Sequence, residues 1–205
     1  MSSRDAILAA IRANRPAGDH PLPEPPRFPV TEDGAPLEAF ARNLKAMGGR
    51  LGDHDGTGDL GDPGDAVRAL FPKARVIASV VPEVTGDRAV TAGTPPQSLA
   101  DVDVAVVRAA FAIAETGSVL LVDDDLVVNA LAYLAQHLVV LVDPADIVAS
   151  TQDAYRRPDF ARHRYAAFHT GPSATADIEG VLIHGAQGVR SLTVLPHPRA
   201  RHAAE

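Results

Sequence analysis

The most informative group of hydroxyl and carboxylate side chains in this chain lies in residues 170–179, which read TGPSATADIE. A strand is predicted just before them, and Ser173 or Thr175 could cap a helix that begins near Ala174. The backbone N–H groups and hydroxyl groups at such a helix start would form a cradle for an anion. The alternative is that the hydroxyl groups only cap the helix. The residues expected to contact the anion are the small or polar members of this turn: Thr170, Gly171, Ser173, Thr175 and Asp177.

A second polar turn reads ETGS and begins at Glu115, directly after the apolar residues 111–114. A carboxylate in this position, next to a glycine turn, could be partly buried and therefore able to exchange a proton. Glu115 is thus a candidate acid, base or nucleophile, and Thr116 and Gly117 are expected to contact the same ligand. The alternative is that Glu115 accepts hydrogen bonds from the amides of its own turn.

A third turn, residues 185–188, reads GAQG, and its glycines Gly185 and Gly188 are further candidates for contact with a ligand. His169 and His184 are positioned to meet the same ligand, although packing or a backbone hydrogen bond is the simpler role for His169. The histidines show no His-x3-His or His-Glu pairing in sequence, so no metal site is expected.

Several other motifs resemble binding or catalytic sites but lack a feature that such a site requires. Residues 56–61 have the spacing of a dinucleotide fingerprint, but no apolar strand precedes them. Residues 53–59 imitate the first half of a calcium loop, but Gly64 occupies the position of the bidentate carboxylate. Residues 123–125 are three aspartates that follow a predicted parallel strand, and a solvated turn is favoured there over a cation site. Ser173 lacks the glycine that a nucleophile elbow requires at position 175.

The composition limits the class of protein and its partners. With 205 residues, 46% of them hydrophobic and only 4% aromatic, the chain is expected to form one aliphatic core of buried strands flanked by helices. The formal net charge of −7 argues against a nucleic-acid partner. Because the chain has no cysteine, it cannot hold an iron–sulfur cluster through its own Cys ligands, and no cofactor is expected on it.

Three segments are predicted along the chain. Residues 1–36 form an N-terminal arm, with a capped amphipathic helix and a proline-rich tether, which wraps its own domain or contacts a second copy. Residues 37–196 form a single α/β domain, and residues 197–205 a flexible tail. The apolar run near the N-terminus contains Asp5 and Arg12, so it is neither a secretory signal nor a membrane span. A cytoplasmic protein is therefore expected.

Strands alternate with helices along the predicted domain. This order, with several continuously apolar strands, predicts a layered α/β sandwich with a largely parallel sheet. The predicted helices cover residues 37–47, 65–71 and 152–156. The predicted strands cover residues 75–81, 102–107, 118–122, 137–142, 165–169 and 191–195.

The order of the three polar turns resembles the lactate utilisation protein C family, the LUD domain, over roughly the C-terminal two thirds of the chain. The resemblance implies a fold similar to sugar-phosphate isomerases and coenzyme A transferases. It also implies a cytoplasmic role in bacterial lactate oxidation, beside partner subunits that carry iron–sulfur clusters. Ala174 stands where the family commonly has Arg, and Gln187 stands where it has His. Both departures weaken an anion-clamping or acid–base role.

Two functional hypotheses follow. The first is an accessory or regulatory subunit of an organic-acid oxidation system, which binds a small anion between the Glu115 turn and the Ser173 turn. The alternative is a stand-alone isomerase- or transferase-like enzyme that uses Glu115 as an acid–base group or acyl acceptor. The third possibility is a purely structural oligomer, in which the glycine turns only shape the chain and no ligand is bound.

Overall fold

The computed structural model describes residues 2–24, 26, 28, 34–52 and 61–199. The helices of this part are α1 (Ser3–Ala13), α2 (Pro36–Ala46), α3 (Pro63–Leu70), α4 (Asp123–Leu126), α5 (Leu131–Leu134), α6 (Thr151–Ala154) and α7 (Asp159–Arg162). The strands are β1 (Arg50–Leu51), β2 (Ile77–Ser79), β3 (Val104–Arg108), β4 (Phe111–Ile113), β5 (Ser118–Val122), β6 (His137–Val142), β7 (Ile147–Val148), β8 (Ala166–His169), β9 (Ala174–Thr175), β10 (Ile183–His184) and β11 (Ser191–Pro196). Short 3₁₀ turns cover Pro96–Leu99 and Pro144–Asp146.

The central sheet has the strand order β1-β11-β6-β3-β2, and all of its neighbouring strands are parallel. Its long strands β3, β6 and β11 are almost entirely buried. Parallel strands covered on both faces have continuous apolar sequences, which is why these strands were predictable. The predicted α/β fold with a mainly parallel sheet is confirmed.

A second sheet, with the order β7-β4-β5-β8, lies against the first. Strand β5 pairs antiparallel with both β4 and β8, so the prediction that residues 118–122 form a parallel strand is wrong. The physical reason is the connection between β4 and β5, which consists only of residues 114–117. Parallel neighbours need a crossover of about a dozen residues or more, whereas a short turn can only produce a hairpin.

Alternating side chains divide the core into layers. In β3, Val104 and Val106 pack with Val67 of α3, whereas Ala105 and Val107 pack with the inner face of the second sheet. The outer face of the second sheet packs against the short helices through Phe111 and its neighbours. The molecule is therefore a helix–sheet–sheet–helix sandwich, with α2 inserted at the edge of the middle layer.

The N-terminal arm has the predicted helix. Ser2 and Asp5 form a capping box, and the helix ends at Asn14 as expected. Helix α1 buries no residue, and Ile7 and Ile11 are 61% and 62% exposed. The tether contacts its own domain at Gln152, whose side chain accepts a hydrogen bond from Phe28 N and donates one to Pro26 O. The boundaries of the arm, the domain and the tail remain predictions.

Candidate ligand-binding site

The helix predicted after Ser173 is wrong. Residues 174–175 form strand β9, which pairs antiparallel with β10 in a small hairpin. Thr175 Oγ1 accepts a hydrogen bond from Asp177 N (3.2 Å), and positive φ angles at Glu179 and Gly180 turn the chain back. Hydroxyl side chains stabilise turns by the same bonds with which they cap helices, so the sequence signal fits both. The anion cradle at a helix start is therefore absent from this described segment.

The Ser173 turn is instead held against the GAQG turn, residues 185–188. Ser173 Oγ donates a hydrogen bond to the carbonyl of Gln187, and Ser173 N donates to Val189 O (2.9 Å). The carbonyl of Ser173 in turn accepts from Gly185 N (2.6 Å). Two of the three polar turns are therefore hydrogen-bonded to each other, and Ser173 connects them.

Glu115 is exposed, so the expectation that it is partly buried is wrong. Its carboxylate accepts a hydrogen bond from the backbone N–H of Thr151 (2.8 Å), at the start of α6. The alternative interpretation of Glu115 as a hydrogen-bond acceptor is correct in kind, although the amide belongs to α6 and not to its own turn.

Hydroxyl groups of the Glu115 turn and of the Ser173 turn lie close enough to form a short hydrogen-bonded chain. Thr116 Oγ1 lies 2.7 Å from Ser118 Oγ, which lies 2.6 Å from Thr170 Oγ1. Ser118 is buried at the start of β5, beside the end of β8. This chain of hydroxyl groups joins the Glu115 turn to the Ser173 turn.

Gly117 and Gly171 have a packing role. Both have positive φ angles (67° and 76°), and both press against the C-terminal end of α2. A Cβ on Gly117 would overlap the backbone N of Leu44, and a Cβ on Gly171 would overlap the carbonyl of Met47. Two of the predicted ligand residues are thus glycines because helix α2 docks there.

Asn43 of α2 fixes the same junction. Its Nδ2 donates hydrogen bonds to Ala114 O (2.8 Å) and Glu115 O (3.1 Å). Replacement of Asn43 by alanine is expected to lower the free energy of unfolding by about 2 kcal/mol, because two carbonyl groups lose a donor and the bond to Ala114 O is partly buried. Urea unfolding of the variant checks this value. An unchanged unfolding midpoint would show that α2 does not hold the Glu115 turn.

A cavity of about 260 Å³ opens beside these turns, next to the start of β6 and β11 and the end of β8. It is lined by Ala132, Tyr133, Phe168, His169, Thr170, Gly171, Pro172, Ser173, Gln187, Gly188 and Val189. Of the predicted ligand residues, those that line it are Thr170, Gly171, Ser173 and Gly188. Those outside its lining are Glu115, Thr116, Gly117, Thr175, Asp177 and Gly185.

His169 is the most distinctive group of this cavity. Its Nε2 is buried and has no hydrogen-bond partner among the described residues. Burial lowers the pKa of His169 from its ordinary value of 6.5 to about 4, so the ring is neutral at pH 7. The ring of Tyr133 lies 5.2 Å from that of His169. A buried polar atom without a protein partner at a cavity wall is an expected recognition point for a ligand.

Residues 94–195 match the LUD domain family, and this range contains every residue that lines the cavity. The chain carries a LUD domain. The chain also resembles a solved structure, the crystal structure of a DUF162 family protein from Deinococcus radiodurans. The TM-score is 0.59 and the sequence identity 18%, with 78% of this chain and 95% of that chain covered. At this identity the likeness establishes the fold alone. A comparison with curated proteins found no match.

Sequence reasoning missed Tyr133, which belongs to a weakly patterned segment between β5 and β6. Its hydroxyl group is hydrogen-bonded to that of Tyr165. Burial, followed by this hydrogen bond, raises the pKa of Tyr165. No local signal marks Tyr133 as part of the site, because its ring meets that of His169 across a long separation in the chain.

An ion pair and hydrogen bonds occupy the opposite, carboxyl edge of the central sheet, where α/β folds commonly bind ligands. Arg108, which ends β3, donates to Glu83 Oε1 (2.5 Å) and to His197 O (3.1 Å). Glu83 Oε2 is buried and has no hydrogen-bond partner among the described residues. Asp143, which follows β6, accepts from Arg199 N (3.0 Å). Arg108 offsets the charge of Glu83, so this edge is explained by internal pairing.

The three aspartates of residues 123–125 are more ordered than the predicted solvated turn, since Asp123 begins α4. His163 Nδ1 lies 3.1 Å from Asp123 Oδ1 and 3.3 Å from Asp124 Oδ2, and the three groups could hold a metal ion in principle. Asp124 is 82% exposed, and the hydrogen bond of His163 with Asp123, together with its ion-pair contact with Asp124, accounts for the cluster. The fingerprint-like and calcium-like residues 53–60 lie outside the described residues.

None of the helices in the described part of the chain has the length and apolar character needed to cross a bilayer.

Proposed function

We propose that this LUD domain protein is an accessory or regulatory subunit of a cytoplasmic lactate (organic-acid) oxidation system. At the level of the family, a LUD domain implies involvement in lactate utilisation. The specific role proposed here is that the His169 cavity binds a small hydroxy or keto acid. The observation that carries this proposal is the buried Nε2 of His169, which has no partner among the described residues at the wall of that cavity.

The size of the cavity favours a small ligand. Sites for drug-sized molecules usually span about 300–1,000 Å³, so a cavity of about 260 Å³ suits a short organic acid better than a nucleotide or a coenzyme A ester. A neutral imidazole can donate one hydrogen bond to a carboxylate or accept one from a hydroxyl group. The hydroxyl groups of Thr170 and Ser173, which line the same cavity, supply further polar contacts.

The lining chemistry favours binding over turnover. Among the described residues that line the cavity, none is a carboxylate, a lysine or an arginine. Glu115, the acid–base group of the alternative enzyme hypothesis, is exposed and bonded to Thr151 N. Because the chain has no cysteine, Cys-ligated iron–sulfur clusters would have to be carried by partner subunits, which remain part of the proposal.

Thermal unfolding with lactate or pyruvate tests the ligand. A ligand at about one hundred times its Kd should stabilise the protein by about 2.7 kcal/mol, which raises the Tm by roughly 5–10 °C. The His169→Phe variant is expected to bind about tenfold more weakly, so the stabilisation at the same concentration falls to about 1.4 kcal/mol. His169→Gln, which keeps a hydrogen-bonding side chain, should lose less.

Glu115→Gln is the matched control, because Glu115 lies in a family motif but outside the cavity lining. It should leave the ligand-induced shift unchanged. Stabilisation that disappears in Glu115→Gln and persists in His169→Phe would overturn the cavity assignment. Conversion of lactate or pyruvate by the purified chain alone would favour the stand-alone enzyme.

A further inference from the structure

A second concave surface lies on the other side of the segment that precedes β11. This groove has a volume of about 370 Å³, and it is lined by Leu70, Phe71, Pro72, Lys73, Ala74, Asp103, Gln136, His137 and Arg190. The chain crosses from one site to the other between Val189, which lines the His169 cavity, and Arg190, which lines the groove. The two sites are therefore adjacent but have separate linings.

The groove concentrates positive charge on a chain whose formal net charge is −7. Lys73 and Arg190 line it, and no described residue forms a salt bridge with either of them. Arg50 adds a third cation, since its guanidinium lies 5.4 Å from the centre of the Phe71 ring. Asp103 is the one acid among the described lining residues. Its carboxylate accepts hydrogen bonds from the backbone N–H groups of Arg75 and Val76.

His137 supplies an oriented ring at the base of the groove. Its Nδ1 lies 2.8 Å from Ser191 Oγ, and its ring centre lies 4.9 Å from that of Phe71. Burial, followed by the charges of Arg190 and Arg50, lowers the pKa of His137. Arg190 and Arg50 therefore place positive charge near the ring, and Asp103 opposes it.

We propose that this groove is a second ligand site, which binds a phosphorylated small molecule through its phosphate group. Two cations that line one concave surface, with Arg50 beside them on Phe71, suit a doubly charged phosphate better than a single carboxylate. The Lys73 ammonium and the Arg190 guanidinium contribute charge and hydrogen bonds to the phosphate oxygens. Gln136 and His137 supply polar contacts at the floor of the groove, beside the start of β6.

Calorimetric titration with inorganic phosphate, glycerol phosphate and adenosine monophosphate tests the site. It also separates recognition of the phosphate group from recognition of the rest of the ligand. All three probes should bind if the phosphate is the recognised group, whereas tighter binding of one ester would identify the remainder of the ligand. Arg190→Gln and Lys73→Gln are each expected to weaken binding about tenfold. Both residues are exposed, and the backbone bond from Arg190 N to Gln136 O is kept in the variant, so neither change should disturb folding.

Arg12→Gln is the matched control, since Arg12 lies on the exposed helix α1 and lines neither site. It should bind phosphate as the unmodified protein does. Equal losses in Arg12→Gln and Arg190→Gln would show non-specific charge attraction and overturn the proposal, as would the absence of saturable binding. His169→Phe should keep phosphate binding, so failure of the His169 cavity and failure of this groove are distinguishable.

Discussion

Replacement of Gly117 by alanine is expected to lower the free energy of unfolding by roughly 3–5 kcal/mol. Two costs add at this position. The φ angle of 67° is unfavourable for any residue with a Cβ, and the Cβ itself would overlap the backbone of α2 at Leu44. Backbone atoms of a packed helix cannot move aside as the end of a flexible side chain can. Urea unfolding followed by circular dichroism measures the change.

Gly180→Ala provides the matched control. Gly180 has a similar φ angle of 71°, but a Cβ there would meet no atom within 4 Å. This variant should lose only the conformational cost, about 1 kcal/mol. Equal losses in the two variants would mean that the close approach of α2 to the Glu115 turn does not limit stability.

Acidification from pH 7 to pH 4 is expected to remove about 3 kcal/mol of stability through His169 alone. Burial lowers the pKa of His169 in the folded chain to about 4, whereas the unfolded chain titrates near 6.5. Between these values the unfolded chain binds a proton that the folded chain does not. Stability is therefore complete above pH 6.5 and decreases as the pH falls towards 4.

The His169→Gln variant isolates this effect, because glutamine does not titrate while all other groups are shared. Free energies of unfolding are measured for both proteins at intervals from pH 7 to pH 4. The difference between them should change by about 3 kcal/mol over this range. Parallel curves for the two proteins would contradict the burial of His169 as a neutral ring.

Much of the fold was predictable from local patterns. Strands β3, β6 and β11 are continuous apolar runs, and this composition is typical of strands buried on both faces of a parallel sheet. The capping box of α1 was equally clear, because Ser2 and Asp5 have the required spacing. Strands β4 and β7 are too short to have been recognised from periodicity.

The hairpin after Ser173 was not predictable from the same patterns. Hydroxyl groups followed by carboxylates favour a helix start, but Thr175 uses its hydroxyl group in a turn instead. The positive φ at Gly180 and the pairing of β9 with β10 decide between these outcomes. Gly180 and β10 both lie further along the chain than the motif itself.

The sequence by itself determined the α/β class, the order of the main strands and the three polar turns on which the resemblance to the LUD domain rests. The tertiary structure alone decided what those turns do. It placed Gly117 and Gly171 against α2, left Glu115 exposed, and brought His169 and Tyr133 to one cavity. The physical reason is distance along the chain. Local patterns encode backbone conformation, whereas burial and hydrogen-bond partners depend on segments that meet only when the two sheets pack.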